Sequence, residues 1–429
     1  MPDLLGLSAH IIDGGVADEP VNRVTQELSE ITDGISLVES FSHVVAVRTD
    51  DGLICFDTSG ARTGPAVVDA LRAWTDDPLH TLVYTHGHVD HVGGSGAFVA
   101  DAHERGAGAP DVLGHENVLA RMDRYDLTNG YNVTINARQF GGRRGAGALG
   151  LGDQARFLAE DVARPSTTVG DALNIRIGGI DIELRHAKGE TDDHLWAWLP
   201  QHRAICSGDF LIWNFPNAGN PQKVQRYPLE WARALRDMIA VEPELLLPAH
   251  GLPIAGRERI AMVLDDVATA LEALVSDTLA LMNEGATLDH IVNTVTVDPD
   301  LLAKPYLRPL YDEPEFVVRN IWRLYGGWYD GNPSRLKPAP DAVFATEVAS
   351  LVGGVEPLVD RARALADAGD LRLACQLVEL ATQAAPDDLD AHGARAEIYQ
   401  ARRRAESSLM AKGIYGWAAR QSRERAGGA

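Results

Sequence analysis

Hydrophobic and polar positions alternate in short blocks over the first 255 residues. Val44 to Asp57 reads VVAVRTDDGLICFD, two β-branched and apolar runs around Asp50-Asp51-Gly52, which predicts a hairpin. Pro65 to Trp74 follows with Val67, Val68 and Leu71 on one helical face and Pro65 near its first turn. A short buried strand over Thr81 to Tyr84 then runs directly into THGHVDHVGG. Strand, helix, strand and loop in that order predict a layered α/β domain.

The stretch from Gly106 to Gly152 is glycine-rich and shows no clear period, so it reads as long loops on a scaffold. Sheet signals resume in LNIRIGGIDIELRHA, a second hairpin turning at Gly178-Gly179, and continue at Leu195 to Leu199, Ala204 to Ser207 and Leu245 to Gly251. After Gly256 the period changes from two to about 3.6, with Ile260, Val263, Leu264, Val267, Leu271, Leu274 and Val275 on one helical face. Between Asp341 and Ala419 the helices pair, and LADAGDLRLACQLVELATQAAPDD carries the punctuation of tetratricopeptide-like helix-turn-helix units. One or two such units cannot bury their own faces and need a neighbour or a second subunit. The closing QSRERAGGA is expected to fray.

Composition narrows the classes. The 429 residues carry 61 acidic and 39 basic side chains, a formal charge of −22. With no basic tract, this balance disfavours nucleic acid and anionic membrane surfaces as partners. The start, MPDLLGLSAHIIDGG, lacks the pattern of a secretory leader, and no window approaches eighteen consecutive apolar residues, so a cytoplasmic location is expected. Three widely spaced cysteines, Cys55, Cys206 and Cys375, suit apolar packing better than a disulfide framework or a thiolate metal site.

The chemistry concentrates in THGHVDHVGG, which places His86, His88, Asp90 and His91 within six residues. Residues two apart in an extended loop point the same way, so His86 and His88 can grip one cation while Asp90 and His91 turn toward a second site. Gly87, Gly93 and Gly94 let the backbone bend closely around them. A single histidine is more often a hydrogen-bonded core or surface residue than a ligand; three with an aspartate reverse that expectation.

These residues resemble the metallo-β-lactamase superfamily, whose H-x-H-x-D-H loop follows a strand of an αββα sandwich. The resemblance implies further ligands from a turn, a strand end and a last strand. The matching segments here are His186-Ala187-Lys188-Gly189-Glu190-Thr191, Cys206-Ser207-Gly208-Asp209 and Pro248-Ala249-His250-Gly251. Glutamate stands where the turn usually has histidine, a feature of the alkylsulfatase-like branch, and Asp209 lies nineteen residues after Glu190. Tyr306 to Pro338 resembles the signature of that branch's dimerisation domain, and Arg143 to Gly152 resembles its glycine-rich active-site loop.

The resemblance implies an α/β class, an αββα sandwich over residues 1–255, followed by an all-α dimerisation domain with tetratricopeptide-like helix pairs over 256–429. It implies two divalent metal ions per chain, with His86, His88 and Glu190 on the first, Asp90, His91 and His250 on the second, and Asp209 bridging. Zinc is the default for an imidazole-rich site, while three carboxylates leave Mn²⁺ or Fe²⁺ open. His186 and His194, four residues either side of Glu190, are alternative ligands if the turn is registered differently, or else orient a carboxylate.

For the substrate, the resemblance implies an Asn and an Arg after the bridging carboxylate. Asn217 can take the first role; with no arginine between Asp209 and Lys223, Lys223 or Arg226 must take the second. A lysine offers a point charge without the guanidinium fork. Tyr131 and Tyr125 could hydrogen-bond an ester, and Trp213 and Phe215 could line an apolar pocket, although packing is an equal reading for each. For Trp322, Trp328 and Tyr329, core or dimer contact is favoured. The expected function is a dinuclear metal hydrolase that cleaves a small-molecule alkyl sulfate ester to alcohol and sulfate. Hydroxide formed between the metals, or a water activated near the catalytic Asp90, would be the nucleophile. The expected assembly is a homodimer. Two alternatives remain: a hydrolase of a lactone, thioester or phosphate ester, and a helical interaction scaffold with a non-catalytic metal site.

Overall fold

The computed structural model describes residues 3–142 and 156–427. The Arg143–Gly152 loop lies outside them, so its expected place at the site is not described. The chain divides into two compact units, residues 1–134 with 146–327 and residues 135–145 with 328–429.

The first unit is built on two sheets. One runs β1 (Leu28–Thr32), β2 (Ile35–Val38), β3 (Val44–Thr49), β4 (Gly52–Phe56), β5 (Leu79–Val83), β6 (Asp111–His115) and β7 (Thr167–Val169) in spatial order, antiparallel as far as β4 and parallel from there. The other has the order β13-β12-β11-β10-β9-β8, made of β8 (Ala172–Ile177), β9 (Ile180–His186), β10 (Leu195–Leu199), β11 (Ala204–Gly208), β12 (Leu245–Pro248) and β13 (Ile254–Ala255). Only β11 and β12 run parallel in this second sheet.

Both hairpins form where the pattern places them. Val45 pairs with Phe56 and Val47 with Ile54 across the first. Gly178 and Gly179 turn the second with φ of 48° and 86°, the paired left-handed residues of a type I′ turn. Strand alternation sends Val45, Val47, Ile54 and Phe56 into one core with Ile182, Leu184, Leu195 and Trp196 of the facing sheet.

The loop reading of Gly106–Gly152 needs correction. Within it lie β6 and the helices Asn117–Leu127 and Asn129–Gln139. The first of these buries Val118, Arg121, Met122 and Tyr125, an i, i+3, i+4, i+7 stripe in which an arginine occupies one of the inward positions. That charge broke the apolar period in the sequence. The frayed tail is also corrected: Leu409–Arg425 is one helix, and its Ser422 is fully buried, accepting a hydrogen bond from Arg395 Nη1 at 2.7 Å.

The division between units falls after Gly327, not at 255/256. Helix Arg257–Asn283 buries the seven apolar positions of its predicted face in the same core as Trp231, Leu235 and Leu246, as do Tyr306, Leu307, Val317 and Ile321 further on. The helical region therefore begins inside the first unit. In the second unit, Glu356–Asp367 and Leu371–Ala384 pair around Gly369, whose φ of 87° ends the first helix, and Leu358, Ala362, Val378 and Ala394 share a separate core. No single described helix is long and apolar enough to cross a membrane. The three cysteines are free and buried.

Because Leu264 is fully enclosed in the first unit's core, Leu264→Ala is expected to cost about 2–5 kcal/mol. Urea unfolding followed by tryptophan fluorescence checks this; a change within about 0.5 kcal/mol, the level of a surface substitution, would contradict the packing described.

Candidate metal centre

Four strands end at one rim of the sandwich, and each hands its next residues to the same place. β5 leads to His86 and His88, then Asp90 and His91 on the short helix Val89–Val92; β11 leads to Asp209; β12 leads to His250; and β4 leads to Asp57. Glu190 arrives on the loop between β9 and β10. Strand ends make a rigid frame for such a site.

Two donor groups result. His86, His88, Glu190 and Asp209 each offer one atom within 4.8 Å of the others, and Asp90, His91 and His250 do the same. Asp209 faces both. Its Oδ2 lies 3.8 Å from His86 Nε2, while its Oδ1 lies 3.3 Å from His91 Nε2 and 3.5 Å from His250 Nε2. Further links are His88 Nδ1 to Glu190 Oε1 at 3.5 Å and His250 Nε2 to Asp90 Oδ2 at 3.5 Å. His86 and His88 approach edge-on, with Nε2 and Nδ1 2.8 Å apart.

The surroundings fix these side chains. His91 Nδ1 donates to Asp57 Oδ2 at 2.7 Å, which turns Nε2 toward the centre. Asp57 is itself held by Thr85 N and Thr85 Oγ1 and sits at φ 61°, in the left-handed region that few aspartates occupy. Arg121 Nε donates to Asp193 Oδ2 at 2.6 Å, and Gly87 N donates to the same oxygen at 3.2 Å, tying the His86–His88 turn to the Glu190 loop. A Cβ on Gly87 would stand 2.9 Å from both Arg121 and Asp193. On the other side, His43 accepts from Ser40 N through Nδ1, so its Nε2–H donates to Gly251 O at 2.9 Å and steadies the His250 turn. Phe41 meets the His250 ring edge-on.

Charge follows from burial and proximity. Burial, reinforced by neighbouring His91, holds His86 well below the usual imidazole range; burial with the charges of Arg226 and Arg121 does the same to His88. His91 behaves oppositely: burial disfavours its cation, but Asp209, Asp57 and Asp90 outweigh that and raise it well above its ordinary value. Burial raises Glu190, Arg226 opposes this, and Asp209 adds to it. Asp209 stays ionised, because His91 and His250 outweigh the burial that would protonate it.

The residues fit divalent cations. His91 Nε2 and Asp209 Oδ1 are buried and lack a hydrogen-bond partner among the described residues, and imidazole nitrogens with carboxylate oxygens make a donor set for first-row dications.

The remaining site expectations are placed as follows. His194 Nε2 accepts from Asp209 N at 3.1 Å and its ring stacks on His86 at 4.6 Å, an orienting position. His186 stacks on His115 at 3.9 Å, bonds Asp192 O and lies outside both donor groups. Asn217 Nδ2 donates to Glu190 Oε1, and Arg226, only 1% exposed, donates to Glu190 O with Oε1 3.3 Å away. Arg226 Nη1 is thus turned onto Glu190, while its Nε has no hydrogen-bond partner among the described residues. Lys223 is half-buried, 5.5 Å over the Phe157 ring; burial and Arg226 lower its pKa to about 7 against the pull of Asp90 and Glu190. Tyr131 is 63% exposed, whereas Tyr125 is buried edge-on against Phe157. Trp213 and Phe215 are enclosed in the core, Trp213 bonding Leu252 O, so they line no open pocket. Trp322 packs on that core, while Trp328 and Tyr329 are exposed.

Sequence reasoning missed Asp57, Arg121, Asp193, Tyr311 and Asp312. Tyr311 is half-buried and close enough to Glu190 and Asp90 for their charges to raise its hydroxyl further. An arginine inside an otherwise apolar helical stripe was the one available signal, at Arg121.

Family models match in two blocks: the metallo-beta-lactamase superfamily over residues 37–250 and alkyl sulfatase dimerisation over 287–425. The chain belongs to the metallo-β-lactamase superfamily, in its alkylsulfatase-like branch. It is 28% identical over 367 residues to a linear primary-alkylsulfatase of a Pseudomonas species, covering 82% of this chain and 69% of that one. An (R)-specific secondary-alkylsulfatase of Pseudomonas is 26% identical over 84% of this chain, and an alkyl/aryl-sulfatase of Saccharomyces cerevisiae is 24% identical, also over 84%. The chain spans 56% and 58% of these two relatives' own lengths. Among solved structures, the stereoselective inverting sec-alkylsulfatase Pisa1 from Pseudomonas shares the fold with a TM-score of 0.79 at 22% identity, over 93% of this chain and 66% of that one.

Ligand imidazoles must be neutral to bind a cation, and the carboxylates around His91 favour its protonated form before one enters. Zinc binding at pH 7 is therefore expected to release at least one proton, and affinity is expected to rise with pH. Calorimetry in buffers of differing ionisation enthalpy checks this; heats independent of buffer would contradict it.

Proposed function

We propose that the chain is a metal-dependent hydrolase of alkyl sulfate esters, releasing alcohol and sulfate. The observation that carries this reading is the meeting of two donor groups, each of buried and half-buried side chains, at the Asp209 carboxylate. Glutamate rather than histidine in the β9–β10 turn and the alkylsulfatase relatives support the substrate class. His86, His88 and Glu190 would hold one divalent cation, Asp90, His91 and His250 a second, and Asp209 would bridge; zinc suits the imidazoles, with manganese or iron suiting the carboxylates. Such ions, when bound, supply Lewis acidity that acidifies water and offsets the charge of a departing sulfate.

The chain's own groups do the rest. Asp90 borders the cation side of the centre and can accept a proton from the attacking water. Arg226 and Asn217 both engage Glu190, which fixes that carboxylate toward the centre and leaves Lys223 to meet the sulfate as a point charge. The engagement of Arg226 with Glu190 also favours a second reading, another ester: a lactone or thioester, which presents no anionic group, or a phosphate ester.

Sulfate release from sodium dodecyl sulfate with zinc or manganese supplied is the expected outcome. Faster turnover of lactones or phosphate esters would transfer the assignment to the second reading. Lys223→Ala is expected to raise KM on the order of tenfold, a loss of about 1.4 kcal/mol, with a smaller effect on kcat. Since burial and Arg226 lower Lys223 toward neutrality, wild-type KM is expected to rise with pH as its cation is lost, and to lose this dependence in the variant.

The assembly proposed is a homodimer. Helix Asp341–Val352 leaves Val343, Phe344, Leu351 and Val352 exposed, an apolar face on the segment matched by the dimerisation model. Light scattering is expected to return twice the chain mass, and the pair Phe344→Glu with Leu351→Glu to return the chain mass. A wild-type monomer would remove the dimer.

A further inference from the structure

One buried carboxylate takes no part in the chemistry above. Asp312 is fully enclosed, and its oxygens are met by backbone amides: Oδ2 accepts from Gly219 N at 2.6 Å and Asn220 N at 3.1 Å, and Oδ1 accepts from Glu313 N at 2.8 Å. Burying a carboxylate is costly, and amide bonds to the charged form are what make it tolerable. The two longest-range of these bonds span more than ninety residues and hold the loop between β11 and the helix Pro228–Ala240.

That loop carries the groups that face Glu190. Asn220 Nδ2 donates to Asn217 Oδ1 at 3.4 Å, which assigns the Asn217 oxygen and leaves its Nδ2 to donate to Glu190 Oε1. The same stretch of chain as Asp312 grips the loop at two further points. Phe215 N donates to Arg308 O at 2.9 Å, and Asn320 joins Gln225 and Arg226 O, each at 2.9 Å. Gly219 lies against Phe316 so closely that a Cβ would stand 2.6 Å from the Phe316 Cβ. No slack remains for the loop to shift without moving Asn217.

We propose that Asp312 is a positioning residue for one half of the metal centre, acting through Asn220 and Asn217 to fix the oxygen of Glu190 that faces His88. The proposal rests on the metal-binding part of the functional reading and is independent of which ester is cleaved. It assigns part of the segment 306–326 to the active site: without the loop clamp, Glu190 keeps its place in the chain but loses the amide that aims it. Groups that hold a ligand in this way commonly change metal affinity by 10–100-fold when removed.

The test compares zinc affinities, by competition with a chromophoric chelator, in wild type, Asp312→Asn, Asn217→Ala and the double variant, alongside melting temperatures in EDTA. Asp312→Asn keeps the side-chain volume and one carbonyl oxygen but loses the charge. It is expected to weaken one of the two sites about tenfold while the other changes by less than about twofold. Asn217→Ala is expected to weaken the same site, and the double variant to lose no more than the worse single, because both interrupt one relay. A lowered melting temperature with both affinities intact would reduce Asp312 to a structural brace and overturn the proposal, as would additive losses or equal weakening of both sites. If Asp312→Asn does not fold, Asn220→Gly breaks the relay at a residue whose φ of 23° glycine accepts, and the same site-selective loss is expected. A wild-type chain that binds zinc but releases no sulfate from alkyl sulfates removes the ester assignment and leaves this proposal standing.

Discussion

The rest of the structure depends on the burial of opposed charges around Asp209. Its carboxylate, 5% exposed, is ringed by His86, His91 and His250, with Asp57, Asp90 and Glu190 close behind. Charges taken from water are stable only when paired and hydrogen-bonded, and here the hydrogen bonding is incomplete: His91 Nε2 and Asp209 Oδ1 lie 3.3 Å apart, yet neither has a hydrogen-bond partner among the described residues. A cluster in this condition is a receptor for positive charge. The divided titration of its histidines, His86 and His88 pushed down by burial and cationic neighbours and His91 and His250 pulled up by carboxylates, is a consequence of the same arrangement.

Holding such a cluster together requires a frame that does not give. Strand ends supply it, because β4 and β5 run parallel, as do β11 and β12, so successive ligands leave the two sheets at one rim. Around that rim each ligand has its own restraint: Asp57 for His91, His194 for the Asp209 backbone, Asp193 with Arg121 for the His86–His88 turn, and Arg226 with Asn217 for Glu190. Every restraint is itself polar and buried, so the site is a network in which removing one member leaves another unpaired. Outside the network, apolar packing closes the space, with Phe210 against His194 and Trp231 against Phe210.

The helical segment after the sandwich has a double character. Residues 257–327 share the core of the first unit, and Asp312 and Asn320 reach the loop that carries Asn217 and Arg226. The later helices form a core of their own. The change of hydrophobic period does not mark where the compact unit ends, because period reports the type of local structure and not which core an element enters.

Much of the sandwich was legible in the sequence, since strands, hairpin turns and amphipathic helices are written in local periodicity, and the seven candidate ligands lie in short motifs whose order a family resemblance can match. The helix Asn117–Leu127 was not legible, because Arg121 interrupts its apolar stripe with a charge that makes sense only opposite Asp193. The contact of Arg226 with Glu190 was not legible for a similar reason: a guanidinium is equally suited to a substrate anion or a buried glutamate, and spacing does not distinguish them. The sequence by itself determined which donors are present and which strands deliver them, since both are local properties. Only the tertiary structure decided which side chains restrain those donors, because Asp57, Asp193 and Asp312 meet their partners across 28 to 106 residues, and nothing in a local pattern records which distant charges folding will bring together.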